Sequence, residues 1–204
     1  MYKSGYHFSK EKRAEKMDVK EAILKRRAYR SLDRVDITEE LIRDLAGCAQ
    51  LSASCNNNQS WRFVFVYEQE MLQRMHEVFP RGNAWAKSAS MIIAVLSKKD
   101  YDCVIGDRVY HQFDTGMATA FLILRATELG FVAHPIAGYS PEKTREILGI
   151  SADVEVIALV IFGKHSKVIN PVLSEKQILA EKQRPERFPL QRFVHLNRYQ
   201  GERL

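Results

Sequence analysis

Three arginines within five positions are the densest group of potential anion ligands in the chain. Arg26, Arg27 and Arg30 follow a predicted helix that Asp18 can cap. Guanidinium groups bind phosphate through paired, charge-assisted hydrogen bonds, so the cluster could hold a phosphorylated ligand. Cations at the end of a helix are also stabilised by the helix dipole, by a few tenths of a kcal/mol to about 1 kcal/mol, so a structural role stays open.

A second group that could do chemistry is the loop at residues 52–60, which consists of small and amide side chains. It leads directly into a strand predicted for residues 61–67, where aromatic and β-branched residues dominate. Asn57 and Gln59 can both donate and accept hydrogen bonds, so they could read the edge of a flavin or a base, although such residues also favour a capped turn. Cys55 could be reactive, but no neighbour in the sequence identifies a base for it.

The middle of the chain predicts a long helix that ends at Gly130, a residue free to adopt positive φ. From Met117 to Ala126 no polar stripe of helical period appears, which predicts a helix covered on all sides. Gly116, Ala118 and Ala120 are small enough to let another backbone or a flat ligand approach closely. We therefore expect this helix to lie at the centre of the fold.

An apolar connection after that helix leads into a predicted loop of four residues: Pro135, Ile136, Ala137 and Gly138. A loop at this place would leave backbone N–H groups free to contact a ligand. An ordinary turn after a core helix would have a similar sequence, so the pattern alone leaves both interpretations open.

Periodic apolar patterns supply the elements that must position these groups. Amphipathic spacing predicts helices at residues 39–51, 68–79 and 141–148. Continuous apolar runs predict covered strands at residues 91–96 and 154–162. Three parts of the chain follow: a basic arm at residues 1–16, a domain at residues 17–163, and an extension at residues 164–204. The extension is too apolar to stay in solvent, so we expect it to wrap a partner subunit.

Length and cysteine usage limit the class of protein. With 204 residues the chain suits one domain, or one domain with an arm. Cys48, Cys55 and Cys103 are odd in number and lack a paired C-x-x-C spacing, so we expect neither a disulfide framework nor a structural zinc site. The N-terminus lacks the apolar core of a signal peptide, and the apolar runs are too short to span a bilayer. We expect a soluble protein of the cytoplasm.

The net charge of +6 comes entirely from the N-terminal part of the chain. Residues 1–30 hold ten Lys or Arg against four acids, whereas the remainder holds 21 against 21. A solvated basic helix explains Lys3 to Lys20. A nucleic-acid-binding module is the alternative, but it rests on residues 3–30 alone and lacks an aromatic binding surface.

Several familiar catalytic motifs are absent from the sequence. Gly163-Lys164 follows a predicted strand, but a phosphate-binding P-loop would need glycine where Ala158 stands and Ser or Thr where His165 stands. The motifs G-x-G-x-x-G, G-x-S-x-G and H-E-x-x-H do not occur. The six histidines are scattered singly, which favours packing or surface roles over metal ligation. The sequence therefore predicts no metal site.

Three motifs in sequence order resemble those of the FMN-dependent nitroreductase family, over roughly residues 18–162. The first family motif, R-R-S-x-R, corresponds to residues 26–30, and the second, P-S-S-x-N-x-Q-P-W-R-F, corresponds to residues 53–63. The third, D-x-G-x-A, corresponds to residues 114–118 and is followed by L-G at residues 129–130 and by P-I-G-G at residues 135–138. One such match would be weak, but three in the same order are specific.

On the phosphate side, the resemblance implies that Arg26 holds the FMN phosphate and that Arg30 lies near the flavin N1 and O2 edge, with Arg27 between them. Ala28 replaces the usual Ser and loses one hydroxyl hydrogen bond to phosphate. The segment ERFPL resembles the family's R-x-P-L, which implies that Arg187 is a second phosphate ligand.

On the ring side, the resemblance implies that Asn57 and Gln59 reach the ring or the ribityl chain. The loop consists of Pro135, Ile136, Ala137 and Gly138. It would direct the backbone N–H groups of its last two residues, Ala137 and Gly138, toward flavin N5 and O4. No side chain is implied as an acid or base, because flavin N5 carries the chemistry.

For the whole protein, the resemblance implies an α+β fold of three layers, with a central, mostly antiparallel sheet flanked by helices. It also implies a homodimer across the central helix, two FMN sites at the interface and a domain-swapped C-terminal tail. The implied activity is that of an oxidoreductase that passes electrons from NADH or NADPH to a nitroaromatic, a quinone or a similar acceptor by a ping-pong hydride mechanism. Residues 97–106 are shorter than the substrate-covering region of larger members, so a flavin-binding sensor or store with little turnover is the alternative.

Overall fold

A five-stranded sheet, antiparallel at every pairing, forms the centre of the fold. The computed structural model describes residues 17–201, so the predicted arm at residues 1–16 lies outside the described part. The sheet strands are β1 (Leu32–Asp33), β2 (Arg62–Val66), β3 (Met91–Ser97), β6 (Val132–Ile136) and β7 (Glu155–His165). A separate small hairpin joins β4 (Val104–Ile105) to β5 (Arg108–Val109).

Six α-helices accompany the sheet, and four of them begin at a side-chain cap. They are α1 (Val19–Lys25), α2 (Glu39–Gln50), α3 (Gln69–Met75), α4 (His111–Glu128), α5 (Pro141–Leu148) and α6 (Glu175–Lys182). Oxygens of Asp18, Thr38, Ser140 and Ser174 accept hydrogen bonds from the first turns of α1, α2, α5 and α6. Such caps stabilise a helix by about 1 kcal/mol each. Within residues 17–201, no helix is long and apolar enough to cross a membrane.

The longest strand, β7, lies at the middle of the sheet and fixes the positions of its neighbours. The strand order is β1-β7-β3-β2, and β6 also pairs with β7. The register places Met91 opposite Phe162, and Val132 opposite Gly163. Successive residues of β3 alternate between two cores: Ile92 faces α3 and α5, and Ile93 faces α2 and α4. These two cores make the predicted three-layer α+β fold, which is confirmed.

The central helix α4 differs from its prediction on one face. Ala118, Leu122 and Ala126 are fully buried against the sheet. The opposite face exposes Phe113, which is 66% accessible, and Phe121, which is 44% accessible, with Ala120 beside them. The expectation of a helix covered on all sides is therefore wrong for the single chain. An apolar face at helical spacing explains why no polar stripe was visible in the sequence.

The segment predicted as a loop at residues 135–138 begins as a strand. Pro135 and Ile136 are the last two residues of β6, so the prediction of a loop is wrong for both. Among the described strands β6 pairs only with β7, and proline, which has no N–H to donate, is tolerated where a strand has one open edge. Ala137 and Gly138 follow the strand directly.

The C-terminal extension is more ordered than its sequence predicted. Strand β7 continues to His165 instead of ending at residue 162, and α6 lies inside a segment for which we predicted no compact structure. Ser174 and Gln177 form a capping box at the start of α6, with each side chain bonded to the other's backbone N–H. That box is a local signal that a search for apolar periodicity does not detect.

Candidate functional site

Four guanidinium groups converge where α1 ends. Arg26 is the residue that caps α1, and its side chain is half-buried. Burial lowers the pKa of Arg26, and the charges of Arg184, Arg187 and Arg27 lower it further, in that order. Like charges gathered in a partly buried place are unfavourable unless an anion lies among them. The cluster therefore fits the phosphate of a nucleotide.

Two of these four arginines are held by main-chain oxygens, and the other two remain available. Arg27 Nη2 donates to Ala180 O at 2.8 Å, and Arg184 Nη2 donates to Arg26 O at 2.9 Å. Across residues 17–201, the guanidiniums of Arg26 and Arg187 form no hydrogen bond and no ion pair. Arg27 and Arg184 thus join α1 to the segment around α6, while Arg26 and Arg187 can bind an anion.

Arg30 lies beside an aromatic group a few residues further along. Its guanidinium carbon is 5.8 Å from the centre of the Trp85 ring, and its buried Nε has no hydrogen-bond partner in the described part of the chain. Burial lowers the pKa of Arg30, and the nearby carboxylate of Glu181 opposes that effect. A buried N–H without a partner costs free energy, so this nitrogen suits an acceptor atom of a bound ligand.

His134 connects β6 to the arginine segment. Its Nδ1 lies 3.0 Å from Tyr29 O; a carbonyl only accepts, so Nδ1 carries the proton and donates. The imidazole stacks on Trp85, with 4.8 Å between ring centres. Burial, followed by the charges of Arg30 and Arg26, lowers the pKa of His134 to about 4. The ring is therefore neutral near pH 7 and adds no charge beside the cluster.

Gly138 is held close to the same aromatic group. Asn83 Nδ2 donates to Gly138 O at 2.7 Å, and Asn83 Oδ1 accepts from Trp85 Nε1 at 3.0 Å. A Cβ atom added to Gly138 would lie 2.6 Å from Asn83 Nδ2, so a side chain would displace that amide. The structure therefore brings Gly138, at the end of β6, and Arg30 to the same aromatic residue, Trp85.

The polar loop adopts an unusual backbone. Asn56, Asn57 and Gln59 have φ angles of 50°, 57° and 50°. The left-handed region costs about 1–2 kcal/mol for most residues, and asparagine tolerates it best, so Gln59 is the least expected of the three. Gln59 Nε2 donates to Asn57 O at 3.2 Å, and Asn57 is exposed. Asn57 is thus exposed on a constrained turn, and the Gln59 amide bonds back to the same turn.

A disulfide between Cys55 and Cys103 holds this loop, which corrects the expectation of unpaired cysteines. The two Cα atoms are 6.0 Å apart and are separated by 48 residues in the sequence. An odd cysteine count hides such a pair, since Cys48 is the free thiol and connectivity depends on the fold. The backbone N–H of Cys55 also donates to Asp114 Oδ2 at 2.6 Å.

Two carboxyl groups lie beneath the loop. Burial alone would raise the pKa of Asp102, but hydrogen bonds from Ser60, the Cys103 N–H and Asn58 hold it below its usual value. Burial raises the pKa of Asp114, the N–H of Cys55 opposes that rise, and the charge of Asp102 adds to it. An oxygen of Asp102 lies within 4.8 Å of both sulfurs of the disulfide, but a disulfide offers no thiolate to a metal.

The arginine cluster and the polar loop lie near opposite ends of β7. At the C-terminal end, Ser166 N–H donates to Ser31 O at 2.9 Å. At the N-terminal end, Ser97 pairs with the first residue of β7, and its hydroxyl donates to Ser60 O at 2.9 Å. Strand β7 takes ten steps from Glu155 to His165 and so spans roughly 33 Å.

One chain thus assembles only part of the predicted set. Arg27 and Arg187 are close enough to Arg26 for their charges to lower its pKa. Arg30 bonds to Ala28 O and lies beside Trp85, and Gly138 is bonded to the same aromatic residue through Asn83. Pro135 and Ile136 end β6, and Ala137 joins them to Gly138. The chain keeps Asn57 and Gln59 at a separate place. Sequence reasoning missed Trp85, Asn83 and Glu181, because none of them stands in a recognisable motif.

The three-layer arrangement is the nitroreductase fold. A solved structure described as an oxidoreductase containing FMN matches with a TM-score of 0.77 and 26% identity, over 99% of this chain and 100% of its own. A structure in complex with FMN from Exiguobacterium sibiricum 255-15 matches with a TM-score of 0.71 and 20% identity, over 88% of this chain and 97% of its own.

The chain belongs to the nitroreductase family, as its motifs indicated. The model of that family matches residues 23–164. A relative from Archaeoglobus fulgidus, named "Putative NADH dehydrogenase/NAD(P)H nitroreductase", is 30% identical over 149 residues, which cover 69% of this chain and 82% of the relative. The matched residues include the arginine motif and the polar loop, whereas Arg187 lies beyond them.

Proposed function

We propose that this protein is an FMN-dependent oxidoreductase that passes electrons from NADH or NADPH to an electron-poor acceptor such as a nitroaromatic or a quinone. The observation that carries the proposal is the convergence of Arg187, Arg184 and Arg27 on Arg26, where their charges lower its pKa. Family membership supports it, and so do the FMN in a solved structure of 26% identity and the NAD(P)H in the name of the archaeal relative.

The phosphate is assigned to Arg26 and Arg187, which have no other partner in the part of the chain that the structure describes. Each charge-assisted hydrogen bond would contribute about 1.5–3 kcal/mol to retention of the cofactor. Arg27 positions the segment through Ala180, and Ala28 offers phosphate its backbone but no hydroxyl.

The ring is assigned to Arg30 and to the backbone N–H groups of Ala137 and Gly138, with β6 fixing the residues before them. When bound, FMN would supply hydride chemistry at N5, alternating between the nicotinamide donor and the acceptor. A fixed cation at Arg30 would stabilise negative charge on the N1 and O2 edge and so raise the reduction potential. Trp85 and His134 keep that side of the site apolar and uncharged.

A second copy of the chain would complete each site. Because the two groups lie near opposite ends of β7, we assign Asn57 and Gln59 to the flavin that Arg26 of the second copy would hold. The exposed apolar face of α4 gives a copy a surface to pack on. Because α6 and Arg184 are hydrogen-bonded to their own chain, we assign exchange between subunits only to the residues after Arg187.

The proposed location is the cytoplasm, where nicotinamide donors are abundant and where thiol buffers keep most disulfides reversible. The Cys55–Cys103 disulfide does not conflict with this location if it is reducible.

The test replaces Arg26 by alanine and compares cofactor content and affinity with the unchanged chain. We expect FMN to bind about 10- to 100-fold more weakly, because one charge-assisted phosphate contact is lost. Arg43→Ala is the matched control, since Arg43 pairs with Glu39 on the exposed surface of α2. Equal FMN affinity in both variants would contradict the assignment of the phosphate.

A second measurement tests turnover. Anaerobic NADH or NADPH should bleach the visible spectrum of the bound flavin, and a nitroaromatic or quinone should restore it. Bound flavin that neither nicotinamide bleaches would instead support the sensor or store.

A further inference from the structure

The Cys55–Cys103 disulfide ties the polar loop to the segment that leads into the β4–β5 hairpin. Both cysteines are partly exposed, so a small thiol can reach the S–S bond. Cys103 follows a 3₁₀ turn at Lys99–Tyr101, and Cys55 starts the turn that carries Asn57. The covalent link therefore connects two surface segments from different parts of the chain.

The surroundings of the two sulfurs differ. The side-chain amides of Asn56 and Asn58 each place Nδ2 3.4 Å from Cys103 Sγ. The described residues provide no comparable donor to Cys55 Sγ. N–H donors stabilise a thiolate, so Cys103 is the better leaving group when the S–S bond is attacked. A reducing thiolate should therefore attack Cys55.

The link also holds one end of a strained turn. Three of the four residues after Cys55 have positive φ without being glycine. The other end of the turn is fixed at Ser60, which is fully buried and bonded to Ser97. When the S–S bond opens, the turn loses its covalent anchor and is held to other segments by hydrogen bonds, from the Cys55 N–H to Asp114 and from the Asn58 amide to Asp102. The left-handed residues can then relax toward ordinary conformations.

We propose that Cys55 and Cys103 form a reversible redox-modification site that sets the conformation of the polar loop. A low-molecular-weight thiolate attacks Cys55 Sγ, the S–S bond breaks, and Cys103 leaves as a thiolate. A second such thiolate resolves the mixed disulfide and frees Cys55. In total, two small thiols become one small disulfide, and the protein gains two electrons and two protons. A low-molecular-weight disulfide drives the reverse reaction.

The loop carries Asn57 and Gln59, so reduction should weaken the hold on flavin. This consequence rests on the proposed function, whereas the modification site itself does not.

The first experiment counts thiols in the full-length chain, unfolded in the presence of a maleimide probe. Protein purified without reductant should react at Cys48 alone, and protein reduced beforehand should react at all three cysteines. Equilibration in glutathione buffers of graded ratio should open and close Cys55 and Cys103 together in one transition. Three reactive thiols before reduction, or a linkage that includes Cys48, would overturn the proposal.

The second experiment measures hydrogen exchange of residues 55–60 in oxidised and reduced protein. We expect exchange to become roughly tenfold faster on reduction, because the turn loses its covalent anchor. The Cys55→Ser, Cys103→Ser double variant should resemble reduced protein in either buffer, and Cys48→Ser should behave like the unchanged chain. Equal exchange rates in the oxidised and reduced forms would overturn the proposal.

FMN affinity of the two forms separates this inference from the proposed function. We expect the Kd for FMN to rise about tenfold on reduction, in parallel with the exchange rate. Failure of both forms to bind FMN would refute the proposed function and leave the thiol counts and exchange rates as the test of the modification site. Equal, tight FMN binding by both forms would support the function and refute the effect on flavin.

Discussion

At the scale of single residues, His134 makes the stability of the folded chain depend on pH. Its pKa in the fold is about 4, because the ring is buried and faces Arg30 and Arg26. An unfolded histidine has a pKa near 6.5. Between these values the unfolded chain binds a proton that the folded chain does not, so stability is full above pH 6.5 and falls as the pH drops toward 4. The loss from pH 7 to pH 4.5 should be about 2–3 kcal/mol.

Urea unfolding at the two pH values checks this prediction. His134→Gln retains a donor for Tyr29 O but cannot take up the proton, so its loss of stability on acidification should be smaller by that amount. His76→Gln is the matched control, since the pKa of His76 is also lowered by burial but its ring is far less buried. If acid destabilised His134→Gln as much as the unchanged chain, the account of His134 would be wrong.

Residues with motif-level signals could be proposed as site residues from the sequence, and residues that act through the fold could not. Arg26 was predicted from its neighbours in sequence, and the structure places it among three other guanidiniums. Trp85 stands in a segment without a recognisable motif, and its role depends on contacts with Arg30 and His134, which are distant from it in the sequence. No local sequence pattern predicts such long-range contacts.

At the scale of elements, a buried carboxylate attaches α6 to the arginine segment, in addition to the hydrogen bond from Arg27 to Ala180 O. Glu181 is 5% accessible and accepts the backbone N–H groups of Arg30 at 2.7 Å and of Ser31 at 3.1 Å. Glu181→Ala would leave two buried donors without a partner, at about 1–3 kcal/mol each. We expect the free energy of unfolding to fall by about 3 kcal/mol.

Denaturant unfolding measures that loss. Glu175→Ala is the control on the same helix, because Glu175 is exposed in the first turn and contributes only a few tenths of a kcal/mol through the helix dipole. Similar stabilities for the two variants would show that Glu181 does not anchor α6.

Helices and strands were predictable where burial of one or both faces sets the pattern of apolar residues in the sequence. Strand β3, buried throughout, was predicted within one residue at its end. Strand β6 was not predicted, since it is short and contains Pro135. The disulfide was missed for a different reason, because the fold rather than the sequence brings Cys55 to Cys103.

At the scale of the whole molecule, the apolar face of α4 predicts association of two chains. Replacing Phe113 and Phe121 by serine would remove exposed aromatic surface from that face in both copies. The loss should be about 4 kcal/mol, or roughly a thousandfold in the dimer dissociation constant. Light scattering across a dilution series measures it. Val168→Ser is the control, as Val168 is 76% accessible but lies outside the α4 face. A double variant that stays as dimeric as this control would contradict the predicted interface.

The central position of β7 also affects how the protein can be made. The strand that joins β1, β3 and β6 begins at residue 155, so it is synthesised later than the other strands of the sheet. Until then β2 and β3 can pair only with each other, and β3, which is buried throughout in the fold, keeps one open edge. At roughly 5–20 residues per second, that edge waits several seconds for its partner during translation. Nascent chains stalled before residue 155 should therefore depend on chaperones that shield unpaired strands.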